Sequence, residues 1–428
     1  MRGERRPFAH SLVESASQLP PVSRLIRPRR RPTRDSAVVL FVEVVHFYLY
    51  DLGRSVDIPK VKALIPANPD MGVAKKRDTP ASLSLPRALV VQLGDGECQD
   101  LGGFECLSSQ AKIYEDGAVT IVVRVKARVP LNELHLIARR KIRSGGAELS
   151  IREYAEHAYV RVRGAIHDAI VEPFEIDASE RESYVAYCLL DATGPPSAFL
   201  DRNRDYLAAL LVGEESEARL DEGQIEATLG KPFSYHESDL AVFDLDRCLI
   251  IDPSADYEDL LLIMEHANYQ LMELRVLDKL LDKWLDEAED DVRAIYGPGR
   301  REPSRALLRR RRLPRERGSR GPAAKIKLAK IQALRFDALF ILENLENSSK
   351  IIGDYYLGQV YDRLCSIFNT EGWKWSVERR LDALQDVYDM VKTDAGERRM
   401  IALEVTFIIV CIVFPIIQIV QAIGLANH

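Results

Sequence analysis

Residues 37–53 read AVVLFVEVVHFYLYDLG, and this stretch decides the fold class of the body of the chain. It is almost continuously apolar and rich in the β-branched residue valine, which favours a strand over a helix. A run of this length and composition predicts a buried β-strand. The rest of the body should therefore supply the layers that cover this strand.

The elements that follow mix strands with helices. Residues 111–129 hold Asp116 and Gly117 between two alternating runs, which predicts a hairpin because glycine supplies the positive φ of a tight turn. We also expect a short helix over 58–66, strands near 87–93, 184–190 and 241–251, and helices near 130–140, 150–171 and 198–212. This mixture predicts an α+β domain with a mixed or antiparallel sheet over 36–252.

Composition narrows the class of protein. The chain has 428 residues, of which 46% are hydrophobic and 29% charged, and these values exclude collagen-like, low-complexity and disulfide-scaffold proteins. Its length predicts two or three folded units. The six cysteines are scattered and form no C-x-x-C pair, which indicates reduced thiols and argues against a secreted protein or a zinc ribbon.

The net charge of −6 hides two strongly basic segments. Residues 1–35 carry nine arginines against three acidic residues, and residues 300–320 carry ten arginines against two. The first segment has no apolar core, so it is not a signal peptide, and we interpret it as a disordered basic leader. A mitochondrial transit peptide is the alternative, although four prolines within it oppose an amphipathic helix.

A long helix is predicted over 253–299, because no glycine or proline occurs between Ser254 and Tyr296. Apolar residues recur along it at the spacing of a coiled coil, and the opposite face is acidic. We therefore expect the chain to form a homo-oligomer through the apolar stripe. The predicted oligomerisation residues are Leu274, Leu277, Leu281, Trp284 and Ile295.

An arginine-rich linker over 300–324 separates this helix from a second helical segment, 325–400, so the two should form a helical hairpin with a basic tip. Arg309, Arg310, Arg311 and Arg312 are the candidate residues for an anionic partner, because guanidinium groups bind phosphates in two-pronged fashion. That partner is either anionic lipid or RNA, as on a ribosome. A helix of forty residues carries the tip about 60 Å from its base. If the base faces the bilayer, RNA or an acidic protein is the better partner.

Residues 401–424 are predicted to form a single transmembrane helix. The part from 405 to 423 reads VTFIIVCIVFPIIQIVQAI and has no charge, and nineteen helical residues span about 28 Å. Arg398 and Arg399 precede it, so the N-terminal part is expected in the cytoplasm of a bacterium, with the mitochondrial matrix as the alternative. The predicted membrane-anchor residues are Val405, Ile409, Val413, Ile417 and Ile423.

No sequence motif indicates catalysis. The eight histidines show no metal-ligand spacing, and no glycine-rich nucleotide-binding loop occurs. Asp244 and Asp246 sit two apart at a strand end, where a magnesium site is conceivable and a solvated sheet face is the commoner arrangement. We therefore predict a protein that is not an enzyme and holds no cofactor.

The run Ala267–Arg275, ANYQLMELR, followed by Asp278 and by Leu280, Leu281 and Asp282, resembles the "required for meiotic nuclear division" family, also called domain of unknown function 155. The resemblance extends over roughly 240–423 through Ile352–Leu357, Tyr361, the Trp375–Val377 step and Leu403–Val405. It implies a bacterial or mitochondrial protein with one C-terminal membrane span, tied in mitochondria to support of translation. It implies no catalytic residues. The basic insert at 300–320 and the long first domain depart from the family pattern.

Two functions fit these observations. The first is a tail-anchored membrane protein that acts as an oligomeric tether or scaffold for a protein partner in the cytosol or the matrix. The second is an oligomeric ion transporter that resembles CorA-type magnesium channels. Those channels need a Gly-Met-Asn signature and a second span, and this sequence contains neither, so the tether is the preferred hypothesis.

Overall fold

The structure is a computed structural model. It describes residues 39–68, 71–74, 88–94, 98–100, 103–173, 181–214, 220–296, 335–336, 338–339, 342–343, 354–387, 389, 400 and 403–408. The predicted leader 1–35 and the arginine-rich linker 300–324 lie outside the described residues.

The described residues include thirteen strands and seven α-helices with defined ends, numbered in chain order. The strands are β1 Val39–Asp51, β2 Gly53–Val56, β3 Met71–Val73, β4 Leu89–Leu93, β5 Cys98–Asp100, β6 Cys106–Ile113, β7 Ala118–Pro130, β8 Lys141–Ser144, β9 Ala147–Ser150, β10 Ile170–Pro173, β11 Arg181–Leu189, β12 Leu240–Phe243 and β13 Arg247–Ile251. The helices are α1 Ile58–Leu64, α2 Ile151–Ala165, α3 Pro196–Arg202, α4 Arg204–Val212, α5 Glu222–Leu229, α6 Glu258–Tyr296 and α7 Tyr355–Phe368.

Eight of the strands form one large mixed sheet, in the order β12-β13-β11-β1-β7-β6-β4-β3. Neighbouring strands are antiparallel except for β11 and β13, which are parallel. Two small antiparallel sheets, β10-β2 and β5-β8-β9, complete the strand pairing of the described residues. The prediction of an α+β fold with a mixed sheet is confirmed. We call this domain, from β1 to β13 with α1 to α5, the head.

The central strand β1 is buried on both faces, which explains its nearly continuous apolar sequence. Its side chains alternate, so that Val42 and Val44 face a core that includes residues of α2 and α4. Val45, Phe47 and Leu49 face a second core, which is closed by α6 and α7. The sheet is thus the middle of three layers.

The predicted hairpin lies where the sequence placed it, between β6 and β7. Gly117 has a φ of +104°, in the region that favours glycine. A Cβ atom at this position would overlap the carbonyl oxygen of Gly53. Two constraints, the left-handed backbone and the close approach of β2, therefore fix glycine in this turn.

Several elements differ from the sequence expectation. The helix expected near 130–140 is a run of 3₁₀ turns, Leu131–Arg139, and the helix expected over 150–171 ends at Ala165. The β8–β9 hairpin and the short strands β2, β3, β5 and β10 were not predicted, because each has only three or four residues and no periodicity to detect.

Beyond the head, α6 continues as one helix of 39 residues, about 58 Å long. Its distal half packs against helical residues near 338 and 342 and against the helical stretch 370–387. We call this second unit, formed by α6 from Leu274 onward with residues 335–336, 338–339, 342–343 and 370–387, the arm. It contains the described parts of the helical segments predicted on both sides of the linker.

The described part of the predicted transmembrane helix is short. Residues 403–408 are helical. Residues 401–402 and 409–424 lie outside the described residues. Among the helices that the structure describes, none is both long enough and apolar enough to cross a bilayer.

We predict that Gly117→Ala destabilises the head strongly. Gly145→Ala is the matched control, because Gly145 also has a positive φ but faces open space. Backbone strain costs both variants about 1–3 kcal/mol, and the overlap with Gly53 adds a further cost only at residue 117. Urea unfolding should therefore show a lower midpoint for Gly117→Ala than for Gly145→Ala. Equal midpoints would show that the close approach to β2 carries no weight.

Candidate functional site: the buried polar face of α6

The unusual feature of the second core is a row of polar residues on α6 between the sheet and α7. Five of them are at most 7% exposed, and we call this set the polar seam. Charged and amide side chains are seldom buried to this degree unless they are paired, because loss of water is costly. The polar seam consists of Glu265, His266, Asn268, Gln270 and Glu273.

Glu265 links α6 to strand β6 through an ion pair. Its side chain is 1% exposed and forms an ion pair with Lys112. Its second oxygen accepts a hydrogen bond of 3.1 Å from the hydroxyl of Tyr114. Burial and the neighbouring Glu265 charge raise the pKa of Tyr114 well above its usual value, so the phenol stays a donor. Both oxygens of a buried carboxylate are thus satisfied from the sheet.

A second charged group fixes the start of α6. Arg124 of β7 makes a two-pronged bond to Glu258, with one contact of 2.8 Å, and lies 3.5 Å from Glu43 of β1. Glu43 also accepts a hydrogen bond of 2.5 Å from Tyr257. Burial disfavours the charge of Arg124, but the hydrogen bond and the negative charges of Glu258 and Glu43 outweigh it and raise its pKa.

Three carboxyl groups meet where α6 crosses the turn between β6 and β7. Tyr269 donates a hydrogen bond to the carboxylate of Asp116, and Glu273 lies one helical turn further on. Asp116 is on an exposed turn, but its carboxylate lies against Tyr269, and the loss of water there raises its pKa. Burial, followed by the charges of Asp116 and of Asp51 on β1, raises the pKa of Glu273 well above its usual value. We call Asp51, Asp116 and Glu273 the carboxyl cluster.

Gln270 and His266 of the seam contact α7. Gln270 accepts a hydrogen bond from the hydroxyl of Tyr361, and the ring of His266 stacks 6.1 Å from the ring of Tyr361. Burial lowers the pKa of His266 to about 4, so the imidazole is neutral at physiological pH. Within the described residues, His266 Nε2, Asn268 Nδ2 and Gln270 Nε2 have no hydrogen-bond partner.

A cleft of about 310 Å³ opens at the surface beside the start of α6 and α7. Tyr235 and Tyr356 form one wall, with ring centroids 5.3 Å apart. Its aspartates already cap the local backbone: Asp252 accepts bonds of 2.9 Å from the amide of Ser254 and 2.8 Å from that of Asp256. Asp354 caps α7 in the same way. These bonds account for the carboxylates of Asp252 and Asp354.

The described residues contain no group of three or more His, Cys, Asp or Glu that could hold a metal ion. Asp244 and Asp246, which the sequence suggested for magnesium, lie in the turn between β12 and β13. Asp244 accepts a hydrogen bond of 2.9 Å from the amide of Leu245, as turn aspartates do.

The predicted oligomerisation stripe contacts other helices of its own chain. Leu274, Leu277 and Leu281 are at most 4% exposed. Trp284 is half-buried, and the side chain of Ile295 lies outside the description. Oligomerisation itself stays a prediction, but three of its five residues are covered within the chain. The residues that cover them are Ala338, Leu342, Val377, Leu381 and Leu384.

Most residues of the other two predicted sites, the anionic-partner site and the membrane anchor, lie outside the described residues. Arg309 to Arg312 lie outside the described residues. Val405 lies in the helical stretch 403–408 and is 49% exposed. The remaining anchor residues, Ile409, Val413, Ile417 and Ile423, also lie outside.

The polar seam was missed from the sequence because its residue types are those of a solvated helix face. A signal was nevertheless present, because Asn268, Gln270 and Glu273 of the seam lie within the run ANYQLMELR at 267–275 that carries the family resemblance.

The fold and the seam define the class of protein. It is an α+β protein in which a long helix packs on a mixed sheet and is joined to it by buried ion pairs. The family described as uncharacterized protein MJ0711, N-terminal domain, matches residues 42–258. The chain belongs to this family. The match covers the head, whereas the resemblance seen in the sequence was carried mainly by residues 240–423.

A curated relative agrees with this assignment. Uncharacterized protein MJ0711 of Methanocaldococcus jannaschii is 28% identical over 228 residues, which are 53% of this chain and 62% of the relative. The chain thus matches less than two thirds of that protein. No solved structure matches the chain. These findings support a family of uncharacterized domains and do not bear on meiotic division or membrane anchoring.

We predict that Leu281→Ala destabilises the arm by about 2–5 kcal/mol, because it removes a fully buried side chain. Leu245→Ala deletes the same atoms from a side chain that is 58% exposed, and it should unfold like the parent. Thermal unfolding and light scattering on the detergent-solubilised full-length chain check this. A smaller mass for Leu281→Ala with unchanged unfolding would mean that the stripe joins two chains instead.

We predict that Glu273→Gln makes the protein more stable than the parent at about pH 8, by several degrees in melting temperature. The pKa of Glu273 is higher in the folded state than in the unfolded state. The folded protein is therefore fully stable with respect to this group below the unfolded-state pKa, and it loses stability as the pH rises through the folded-state pKa. Glutamine does not ionise and removes that decline. The advantage should vanish towards about pH 4.

The matched control for this change is Glu237→Gln, on an exposed loop of the head. His266 and His46, whose pKa values burial lowers to about 4, titrate equally in parent and variant, so their effects cancel in the difference. An advantage of Glu273→Gln that stays constant with pH would contradict the assigned carboxyl cluster.

Proposed function

We propose that the protein is a single-pass membrane tether. The C-terminal helix, 401–424, anchors the chain, and the head holds a protein partner on the cytoplasmic side, or on the matrix side in a mitochondrion. The absence of charge from 405 to 423 supports a lipid environment for that helix.

The exposure of residues 403–408 carries the proposal. Leu403 and Phe407 are each 69% exposed, and Val405 and Ile408 are each 49% exposed, so four of the six side chains in this helical stretch are apolar and exposed, beside Glu404 and Thr406. Exposed apolar side chains favour an apolar environment, and the described residues do not cover these four. Lipid supplies such an environment.

The head supports binding rather than chemistry in this proposal. Its buried charges are used in bonds that hold α6 to the sheet, as Glu265 and Arg124 show. A rigid head on a long helical arm is suited to presenting a surface to a partner.

Alkaline carbonate extraction of membranes from cells that express the full-length chain tests the anchor. The parent should stay in the membrane pellet and dissolve only in detergent. Ile409→Asp with Val413→Asp should shift the protein to the supernatant, because each charge at the centre of a span costs about 2.5–3.5 kcal/mol. The control Ile409→Leu with Val413→Leu should stay in the pellet. Release of the parent by carbonate would end the proposal.

A further inference from the structure

The cleft beside the start of α6 and α7 has a wall of aromatic rings. The ring of Tyr235 is 63% exposed, and its centroid lies 4.7 Å from that of His236 and 5.3 Å from that of Tyr356. Asp239 accepts hydrogen bonds of 2.8 Å and 3.0 Å from the amides of Tyr235 and His236. These bonds fix the loop that carries both rings, so the protein itself holds the wall in place.

The cleft also carries an excess of negative charge, and we call it the acidic cleft. Its described lining residues include five aspartates and neither lysine nor arginine. Asp252 and Asp354 are bonded to backbone amides, which satisfies their oxygens without cancelling their charge. The starts of α6 and α7 each offset only about half a unit of charge. The five residues are Asp239, Asp252, Asp256, Asp259 and Asp354.

The carboxylates converge on the aromatic wall. Burial, and then the charges of Asp239, Asp252 and Asp354, raise the pKa of Tyr356 above its usual value. A phenol responds in this way when several negative groups lie close to it. A cation placed against these rings therefore meets carboxylates from several directions.

Apolar side chains form the rest of the lining, and they narrow the class of ligand. Leu240, Ile250 and Leu357 lie in the cleft with the aspartates. The described residues contain no group of three or more His, Cys, Asp or Glu that could hold a metal ion. Rings, apolar surface and carboxylates together match an arginine or lysine side chain, whose stem is apolar and whose head is cationic. The volume of about 310 Å³ is at the small end of ligand pockets, about 300–1,000 Å³, and suits a single side chain.

The acidic cleft lies at the end of α6 that is remote from the arm. Near the cleft, Gln270 of α6 pairs with Tyr361 of α7. Further along α6, Asp282 pairs with Arg380. Numbers that rise together define parallel helices, so the described helices that precede the proposed anchor lead away from the cleft and along the arm.

We propose that the acidic cleft binds an arginine or lysine side chain of a protein partner, with the stem against Tyr235 and the cationic head among the aspartates. This inference rests on the proposed function, because it names the surface by which the head holds its partner. Charge complementarity carries it, since a basic residue supplies the cation that the described lining lacks. Arginine fits better than lysine, because a planar guanidinium stacks on a ring while it donates to carboxylates.

Binding of two fluorescent peptides to the full-length chain in detergent micelles tests this contact. The first peptide is Gly-Arg-Gly-Arg-Gly, and in the second citrulline, the uncharged isostere of arginine, replaces both arginines. Fluorescence anisotropy should show about tenfold tighter binding of the arginine peptide. That binding should weaken when salt rises from about 0.05 M to about 0.5 M, because the cleft is open to solvent.

Two substitutions separate the cleft from a general attraction of basic peptides to an acidic protein. Tyr235→Ala removes the exposed ring and should weaken binding of the arginine peptide about two- to fivefold. Asp256→Asn removes one exposed charge at constant size and should weaken binding by up to about fivefold. Both side chains are exposed, so thermal unfolding of the two variants should match the parent.

The matched controls are Tyr355→Ala and Asp205→Asn. Tyr355 is 82% exposed and precedes Tyr356 in the chain, but it does not line the cleft. Asp205 is an exposed residue of the first turn of α4. Both control variants should bind the arginine peptide as the parent does.

Equal binding of the arginine and citrulline peptides would overturn the cleft contact, and so would an equal loss in cleft variants and controls. Spermidine that binds more tightly than the arginine peptide, and that depends on Tyr235, would make a free polyamine the ligand and overturn the protein partner. The anchor is tested separately, because these measurements use micelles. Failure of peptide binding leaves the anchor standing, whereas release of the parent by alkaline carbonate refutes the proposed function.

Discussion

The bond between Glu265 and Lys112, completed by Tyr114, is the interaction on which the joining of helix and sheet depends. A buried carboxylate without partners would cost several kcal/mol, so α6 can dock only where Glu265 meets these two side chains. Glu258 meets Arg124 seven residues earlier, which is about two helical turns, and selects the same register. The ion pairs thereby place the apolar residues Leu261 and Met264 against the sheet. These ion pairs specify one register of α6 on the sheet as well as stabilising it.

Much of the head could be predicted from the sequence because its signals are local. The apolar run at 37–53 became β1, and Asp116 with Gly117 became the turn of a hairpin. The absence of glycine and proline after Ser254 predicted a long helix, and the structure has α6, which ends at Tyr296. In each case the residues that form the element also carry the pattern that reveals it. The shortest strands, such as β8 and β9, have no such pattern.

The polar seam could not be predicted in the same way, because its burial and its hydrogen bonds depend on contacts between segments that are distant in the sequence. Nothing in the run around Glu265 and Glu273 tells a reader that the sheet covers one side of the helix and α7 the other. The stripe of Leu274 and Leu281 shows the same limit. Its spacing indicates a helical partner, but spacing alone does not say whether that partner belongs to the same chain. Here the partner is Ala338 and Leu342, with the helical stretch 370–387, of the same chain.

The continuity of α6 joins two hydrophobic cores in one rigid rod. Leu261 belongs to the core beneath the sheet and Leu281 to the core of the arm, and no proline or glycine between them allows a bend. A tilt imposed at the far end is therefore transmitted as a rotation at the near end, where Glu265 and Tyr269 contact the strands. The helix acts as a lever, and a mechanical load on the arm is transmitted directly to these buried side chains.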